Sequence, residues 1–403
     1  MSKSLGLNSV FLTIETFLLL LGQLGRINMP YGISFYALEA VIFFHASYVF
    51  ATKPQLLKTI KDNVFAKIGL GWIGFVFFVL FVQSFPFTLA ENIRAISYLL
   101  RVSTFAAFAF FVIPSISQKM SKNILTAISI FIPLVALVQY IFIPDLRFLA
   151  SYGWDPHMYR AVGTIFDPPI MGSVLGMLFM YRVIIGNEKI VGLEATVKNF
   201  LGNRKRFVYA LTSVFILMAI IFLYSRSTYL SVLIAVNYVL LTKRRYFYSA
   251  VFTLAFVAAI VLAPKTIPAY RQLESAKLER LSTVTSRKTE IFAGLDAFAK
   301  NPVWGIGFNR VREYKNNLVT DKNHAGSAFH SFWVTQAATT GFLGLSLLLW
   351  FFAEVIRKKP HLMPIIFIPA FIGLFDNTMF HPFVMFVVIL TALSASIHNK
   401  NIL

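Results

Sequence analysis

The chain has 403 residues, of which 57% are hydrophobic and 13% charged, and its formal net charge is +20. Because soluble proteins carry roughly a quarter charged residues, this composition excludes a soluble globular enzyme. The basic residues are scattered over short segments between apolar runs, so nucleic acid is not an expected partner. The sequence contains no cysteine, which excludes disulfides and thiolate metal sites.

Twelve apolar runs follow one another along the chain, and most approach the roughly 20 residues that a helix needs to cross a bilayer. They lie near 9–24, 32–52, 68–86, 91–113, 124–144, 165–185, 208–224, 227–242, 246–263, 331–354, 362–375 and 379–397. Lipid offers the backbone no hydrogen-bond partners, which favours helices. The predicted fold class is therefore an all-α polytopic membrane protein with about twelve transmembrane helices in a single membrane domain, 1–403.

The basic residues indicate how these helices are oriented. Alternating the loops places twenty Lys and Arg residues on one side, which is then the cytoplasm together with both termini. The short loops on the other side contain only Arg26, Arg147, Arg160 and Arg226. The long outer loop 264–329, between the ninth and tenth helices, carries eleven basic and six acidic residues. Long translocated loops need not follow the rule that basic residues stay in the cytoplasm, so the predicted orientation stands. The positive charge of this loop then needs another reason, and we expect the chemistry at this cationic outer face.

The long loop is predicted to contain two helices. The first covers about 267–281, and the second starts near the possible N-caps Thr285 and Ser286 and ends before Asn301. Ile291, Leu295 and Phe298 recur at helical spacing in the second helix, which predicts one buried face. On the cytoplasmic side, the basic segment 187–206 is predicted to form a short surface helix.

Two arginines at the outer face are candidate anion ligands. Arg287 is predicted in the first turn of the second loop helix, where a cation opposes the helix dipole unless an anion binds there. The alternative for Arg287 is a surface salt bridge to Glu290. Arg226 lies between two apolar runs at the outer interface, and its alternative is an arginine that extends to the lipid head groups.

Two more arginines, Arg94 and Arg101, lie seven residues apart within the fourth run and share one helix face. Placing an unpaired charged side chain within the membrane would cost at least about 2.5–3.5 kcal/mol of free energy. We therefore expect Arg101 to face a polar cavity or an acid such as Glu15 or Glu39, and a structural ion pair is the alternative to a functional role.

His330 lies at the outer mouth of the tenth run, where a histidine can act as a general base near neutral pH or be a purely structural residue. His324 precedes it by six residues, a spacing that does not indicate a zinc site. Arg226, Arg287 and His330 are all predicted on one membrane side. Two arginines and a base suit a lipid-linked diphosphate donor, because arginine binds phosphate with paired hydrogen bonds.

Several short segments resemble the signature of the O-antigen ligase and O-antigen polymerase superfamily. In chain order they are Arg160–Phe166, Ser225-Arg226, Ser286-Arg287, Ala297-Phe298, Asn301-Pro302, Gly305-Ile306-Gly307, Phe329-His330-Ser331 and Thr340–Leu345. The family's asparagine after the histidine is replaced by Ser331, and its glutamate before the glycine pair is replaced by Thr339 and Thr340.

The resemblance implies a GT-C-like glycosyltransferase of the bacterial inner membrane that works on the periplasmic side. It implies an undecaprenyl-diphosphate-linked glycan as donor, inversion at the anomeric carbon, and neither metal nor cofactor. The family's two arginines correspond to Arg226 and Arg287 and its histidine to His330, while Arg160 and Arg101 are further candidates for binding the diphosphate.

The acceptor distinguishes three activities within this superfamily. A ligase uses the lipid A-core, a polymerase uses a growing lipid-linked glycan, and an oligosaccharyltransferase uses a protein hydroxyl. The histidine favours the ligase slightly. A flippase for a lipid-linked sugar is the alternative from another class, but it should show internal repeats, broken helices and coupling acids within the membrane, where only Glu15 and Glu39 are clearly placed. A structural scaffold would leave the buried arginines unexplained.

Overall fold

The computed structural model describes residues 2–58, 63–190, 204–266, 281–315 and 328–399. Helices dominate these residues, and the strands β1 (Arg26–Asn28) and β2 (Ser34–Tyr36) form one antiparallel hairpin. The helices are α1 (Ser2–Leu21), α2 (Ala37–Thr52), α3 (Val64–Val82), α4 (Leu89–Ala107), α5 (Gln118–Phe142), α6 (Pro168–Ile190), α7 (Arg204–Ile221), α8 (Arg226–Thr242), α9 (Tyr246–Leu262), α10 (Leu281–Lys300), α11 (Val311–Tyr314), α12 (Phe332–Lys358), α13 (Met363–Ile372) and α14 (Pro382–Asn399).

Each predicted apolar run falls on a helix, so the prediction of an all-α polytopic membrane protein is confirmed. Within the described residues, six helices are long and apolar enough to cross a membrane, and six shorter apolar helices accompany them. Large apolar side chains such as Phe81 and Leu254, both 72% exposed, cover the outer surfaces of the helices. Water would make such a surface unfavourable, whereas lipid chains solvate it.

Local sequence explains where some of these helices begin. The Asn63 side chain caps α3 by accepting hydrogen bonds from the backbone N–H groups of Phe65 and Ala66, at 2.9 and 3.4 Å. Thr88 and Glu91 cap α4 reciprocally, each accepting a hydrogen bond from the backbone N–H of the other. These caps replace the partners that the first N–H groups of a helix lack.

The chain divides into two compact units. The first comprises residues 1–120, 281–360 and 373–386. Here α2 packs on α1 and α4, α3 packs on α4 and α12, and α12 packs on α10. The hairpin of β1 and β2 connects α1 to α2, with Arg26 opposite Tyr36. This unit therefore joins the N-terminal helices to the helix of the long loop.

The second unit comprises residues 121–280, 361–372 and 387–403. In it, α6 packs on α7, α8 and α13, and α8 also packs on α9 and α13. Buried apolar side chains of α6, including Val174, Leu175 and Leu178, are fully enclosed. This helix is therefore the centre of the second unit.

The long outer loop differs in part from its prediction. The second loop helix, α10, ends at Lys300 as predicted, but it already runs from Leu281 rather than from Thr285. The first predicted loop helix falls mostly on residues 267–280, outside the described part of the chain. Most of the cytoplasmic segment 187–206 also lies outside it, although α6 continues to Ile190.

Candidate functional site

Arg287 lies in the second turn of α10, because this helix already runs from Leu281. The prediction that Arg287 opposes the dipole at a helix start is therefore wrong. Its guanidinium forms an ion pair with Asp376, with 3.1 Å between Nη2 and Oδ1. The predicted partner Glu290 pairs with Lys315 instead. With 33% of its side chain exposed, Arg287 can present further N–H donors to an incoming anion.

His330 is exposed and directly precedes Ser331, the N-cap of α12. The Ser331 hydroxyl accepts a hydrogen bond from the Val334 backbone N–H at 3.4 Å and donates one to the Gly373 carbonyl at 3.2 Å. The Phe332 N–H also donates to the Gly373 carbonyl, at 2.7 Å. Ser331, which stands where the superfamily has asparagine, therefore caps α12, and serine and asparagine are about equally good N-caps.

The segment 373–376 connects these two candidate residues within the first unit. Gly373 binds the backbone that follows His330, and Asp376, three residues later, binds Arg287. The structure therefore brings Arg287 and the backbone that directly follows His330 to one short segment.

Small residues hold α10 against the start of α12. A Cβ at Gly294 would lie 2.4 Å from Val334 Cγ1 and 2.8 Å from Phe329 Cγ, so only glycine permits this approach. Ala297 is fully buried against Phe329. Leu295 was predicted on the buried face but is 43% exposed. That part of the prediction is wrong, because the contact face is formed by residues small enough for close packing rather than by the larger apolar ones.

The glycine segment after α10 is bound to a break in α12. Gly341 has φ +65° and ψ −170°, which interrupts the helix. The carbonyl of Ala338 then accepts a hydrogen bond from the Ile306 N–H at 2.8 Å, and that of Thr339 accepts one from the Gly307 N–H at 3.1 Å. The Phe342 N–H completes the set by donating to the Pro302 carbonyl at 2.7 Å. Two of the signature segments therefore bind each other through their backbones.

In the second unit, Arg226 is the first residue of α8 and is exposed. The preceding Ser225 hydroxyl accepts a hydrogen bond from the Thr228 hydroxyl at 2.9 Å rather than from a backbone N–H group. Arg226, and not Arg287, is thus the cation at a helix start, where the first N–H groups favour a bound anion.

Arg160 is buried, with 5% exposure, in a loop next to the end of α7. The Ala161 N–H donates to the Phe222 carbonyl at 3.0 Å. The Gln139 side-chain oxygen holds the same loop by accepting the N–H group of Val162 at 3.1 Å. Because Phe222 is only four residues before Arg226, the structure brings Arg160 and Arg226 to the same end of the second unit.

The two arginines of α4 are both paired in the first unit. Arg101 forms an ion pair with Glu39, which confirms the expectation of an acid partner and agrees with the ion-pair interpretation. Arg94 pairs with Glu313 at 2.7 Å, and the other predicted candidate, Glu15, contacts His45 at 2.8 Å. These pairs lower the cost of burying the charges.

Residues 211–349 match the sequence model of the O-antigen ligase family. This stretch is therefore similar to an O-antigen ligase domain. Members of that family are glycosyltransferase-like enzymes, and the resemblance to the O-antigen ligase and polymerase superfamily is confirmed. No curated protein matches the chain significantly.

The matched stretch 211–349 covers about a third of the chain and contains Arg226, Arg287, His330 and both glycine-rich segments. Arg160 and Arg101 lie before it, and Asp376 lies after it. Sequence reasoning missed Asp376, although one signal was present, since it is the only acidic residue after Glu354. A single acid in a long apolar region suggests a buried cationic partner.

A metal site was not expected, and the described residues contain no group of three or more His, Asp or Glu side chains that could hold a metal ion. His324, the conceivable partner of His330, lies outside the described part of the chain. Metal independence therefore stays a prediction.

Proposed function

We propose that this protein transfers a glycan from undecaprenyl diphosphate to an acceptor hydroxyl on the periplasmic side of the bacterial inner membrane. The O-antigen ligase domain supports this reaction class. The observation that carries the proposal is the link of Arg287 and His330 to the same segment, 373–376, because it unites an anion ligand with a potential base.

In the proposed reaction, Arg226 and Arg287 bind phosphate oxygens of the donor. Both side chains are at least partly exposed, and Arg226 adds the free N–H groups of a helix start. Before the donor binds, Asp376 holds the Arg287 guanidinium in place. Arg160 and Arg101 act as supporting charges, since Arg160 is buried and Arg101 already pairs with Glu39.

The chemical step is a single displacement with inversion. The acceptor oxygen forms a bond to the anomeric carbon, the bond between that carbon and the diphosphate oxygen breaks, and undecaprenyl diphosphate leaves with the electron pair. His330 takes the proton of the attacking hydroxyl. The arginines stabilise the negative charge that develops on the diphosphate.

Glycan transfer by the purified protein in nanodiscs tests these roles. With an undecaprenyl-diphosphate-linked glycan as donor, His330→Ala should lower the rate by about 10²–10⁴-fold. Arg287→Ala and Arg226→Ala should each lower it by about a hundredfold or more. The matched control is Arg147→Gln, because Arg147 forms an exposed pair with Asp145. Wild-type rates for the His330 and Arg287 variants would refute the mechanism.

The acceptor is proposed to be the lipid A-core, as in a ligase, because the family resemblance associates a histidine at position 330 with ligases. A growing lipid-linked glycan or a protein hydroxyl are the alternatives. The glycans of a deletion strain discriminate between them. Loss of every repeat from the core supports a ligase, whereas a single repeat retained on the core supports a polymerase. Intact core glycans with unglycosylated protein targets support an oligosaccharyltransferase.

A further inference from the structure

Two buried polar links hold α11 against the start of α4 in the first unit, and no step of the proposed reaction uses them. Arg310, directly before α11, donates from Nη2 to the Asn92 side-chain oxygen at 2.6 Å. Glu313 of α11 pairs with Arg94, with 2.7 Å between Oε1 and Nη2. Asn92 and Arg94 lie within the first two turns of α4, which begins at Leu89. We call Asn92, Arg94, Arg310 and Glu313 the α11 clasp.

The α4 side of the clasp is itself fixed by the turn between α3 and α4. The Asn92 amide nitrogen donates to the carbonyl oxygen of Ser84 at 3.0 Å and to that of Phe87 at 3.2 Å. The Arg310 guanidinium carbon lies 3.6 Å from the centre of the Phe87 ring. Asn92 therefore presents its side-chain oxygen in one direction, and the guanidinium is held by both Asn92 and Phe87.

Arg310 is a costly residue for a purely structural contact. It is 1% exposed, and within the described structure its Nε and Nη1 atoms have no hydrogen-bond partner. Burial lowers the pKa of this guanidinium, against the opposing effects of the charges of Glu313 and Glu91. Apolar side chains of similar volume often replace a buried charge without loss of stability. The stability of the fold therefore does not explain why an arginine stands at this position.

From α11, the packing continues to the residue before His330. Val311, the first residue of α11, is fully buried and belongs to one apolar cluster with Phe329, Ala297 of α10 and Ala338 of α12. Interiors of proteins are closely packed, so a shift of one member of such a cluster displaces the others. The position of α11 therefore determines where Phe329 lies, and with it the backbone of His330.

The clasp also fixes the glycine segment that follows α10. The Arg310 backbone N–H donates to the Gly307 carbonyl at 3.2 Å, and a Cβ at Gly307 would lie 2.6 Å from Arg310 Cδ. The Gln83 amide nitrogen, from the end of α3, donates to the Gly305 carbonyl at 3.1 Å. The same arginine therefore contacts the segment that leads from α10, the helix that carries Arg287.

We propose that Arg310 and Arg94 are positioning residues for glycan transfer, because they hold α11 so that His330 and Arg287 keep a fixed separation. The proposal rests on the proposed function, in which His330 and Arg287 act in the same reaction. A displacement of about 1 Å at a reacting group can lower a rate by about a hundredfold. Both arginines are buried and act through their neighbours, so the clasp affects kcat and leaves binding of the donor unchanged.

Arg310→Met tests the clasp, since methionine is flexible and apolar but loses the charge and the bond to Asn92. The melting temperature of the full-length protein should stay close to that of wild type. The kcat should fall about tenfold or more. The donor KM and the number of donor molecules bound per protein should stay within about twofold of wild type. Arg357→Met, which removes an exposed arginine paired with Glu354 in the same unit, is the control and should keep the wild-type kcat.

A wild-type kcat for Arg310→Met would overturn the proposal. A kcat that falls only in proportion to the bound donor would overturn it as well, because such a loss reflects unfolded protein. Arg310→Lys keeps the charge and can donate one hydrogen bond to Asn92, so its kcat should lie between those of wild type and Arg310→Met.

The second link of the clasp is tested without Arg310. Arg94→Gln and Glu313→Gln should each lower kcat, and the double variant Arg94→Gln/Glu313→Gln should lower it no further than the single variants do, because both remove one pair. Losses in kcat that multiply in the double variant would contradict a role of this pair in positioning α11.

Hydrogen exchange separates the clasp from the proposed function, because it needs no substrate. The Phe329 backbone N–H donates to the Thr335 hydroxyl at 3.2 Å and should exchange about tenfold faster in Arg310→Met, whereas α8 should exchange as in wild type. If exchange changes as expected but the wild-type protein transfers no glycan, the proposed function fails while the clasp stands. Unchanged exchange and kcat in an active protein would overturn the clasp and leave the proposed function intact.

Discussion

At the scale of single residues, the pair between Arg287 and Asp376 sets the charge of the candidate site. The Asp376 residue is 9% exposed, and the Arg287 side chain is more accessible. The carboxylate therefore both orients the guanidinium and opposes the binding of a negatively charged donor. These two effects can be separated because they act on different kinetic constants.

Replacing Asp376 by asparagine should lower kcat by about tenfold or more, because Arg287 loses the partner that orients it. The KM for the donor should not rise, since a competing negative charge is removed. Steady-state transfer assays measure both constants. Glu290→Gln, which removes a charge paired with Lys315 on the same helix, is the control and should retain the wild-type kcat. An unchanged kcat for the Asp376 variant would mean that Arg287 needs no such support.

At the scale of elements, the break in α12 determines where the long loop attaches. The carbonyl groups that the break releases bind the N–H groups of Ile306 and Gly307. Gly305 packs so closely that a Cβ would lie 2.5 Å from the Thr339 carbonyl carbon. A residue with a side chain would separate the loop from the helix and shift α10, which carries Arg287, relative to His330.

Gly341→Ala should destabilise the protein and abolish most of the transfer activity. A Cβ there would lie 2.2 Å from the Val303 carbonyl oxygen, and the positive φ of Gly341 adds about 1–3 kcal/mol of strain. Thermal unfolding in detergent measures the loss. Gly71→Ala is a matched control in α3, because its new Cβ would meet no atom within 4 Å and alanine favours a helix. A variant at Gly341 as stable as wild type would rule out the broken-helix conformation.

At the scale of the whole molecule, the orientation in the membrane follows from the distribution of basic residues and stays a prediction. Because the protein has no cysteine, a single introduced cysteine reports one position without background. Ser151→Cys and Lys300→Cys, both at exposed positions, should react with a membrane-impermeant maleimide added to intact spheroplasts. Lys243→Cys, in an exposed position between α8 and α9, should react only after permeabilisation, and the reverse pattern would invert the topology.

The features of the fold and the site that could be predicted are those encoded by residues close together in the sequence. Within the described residues, each apolar run coincides with a helix, since the cost of exposing the backbone to lipid acts on each segment by itself. Arg226, Arg287 and His330 could be chosen as candidates from the sequence, because each lies in a short segment that resembles the superfamily and within the region that matches the O-antigen ligase family. The spacing of the large apolar residues predicted the wrong buried face for α10, because the contact face of this helix consists of glycine and alanine.

The sequence by itself determined the class of the protein, its helices and its candidate arginines and histidine. Only the tertiary structure decided that Asp376 pairs with Arg287, that Glu39 pairs with Arg101, and that Arg226 starts a helix. An ion pair depends on the distance between two charges in space, and neither partner's sequence neighbourhood encodes it.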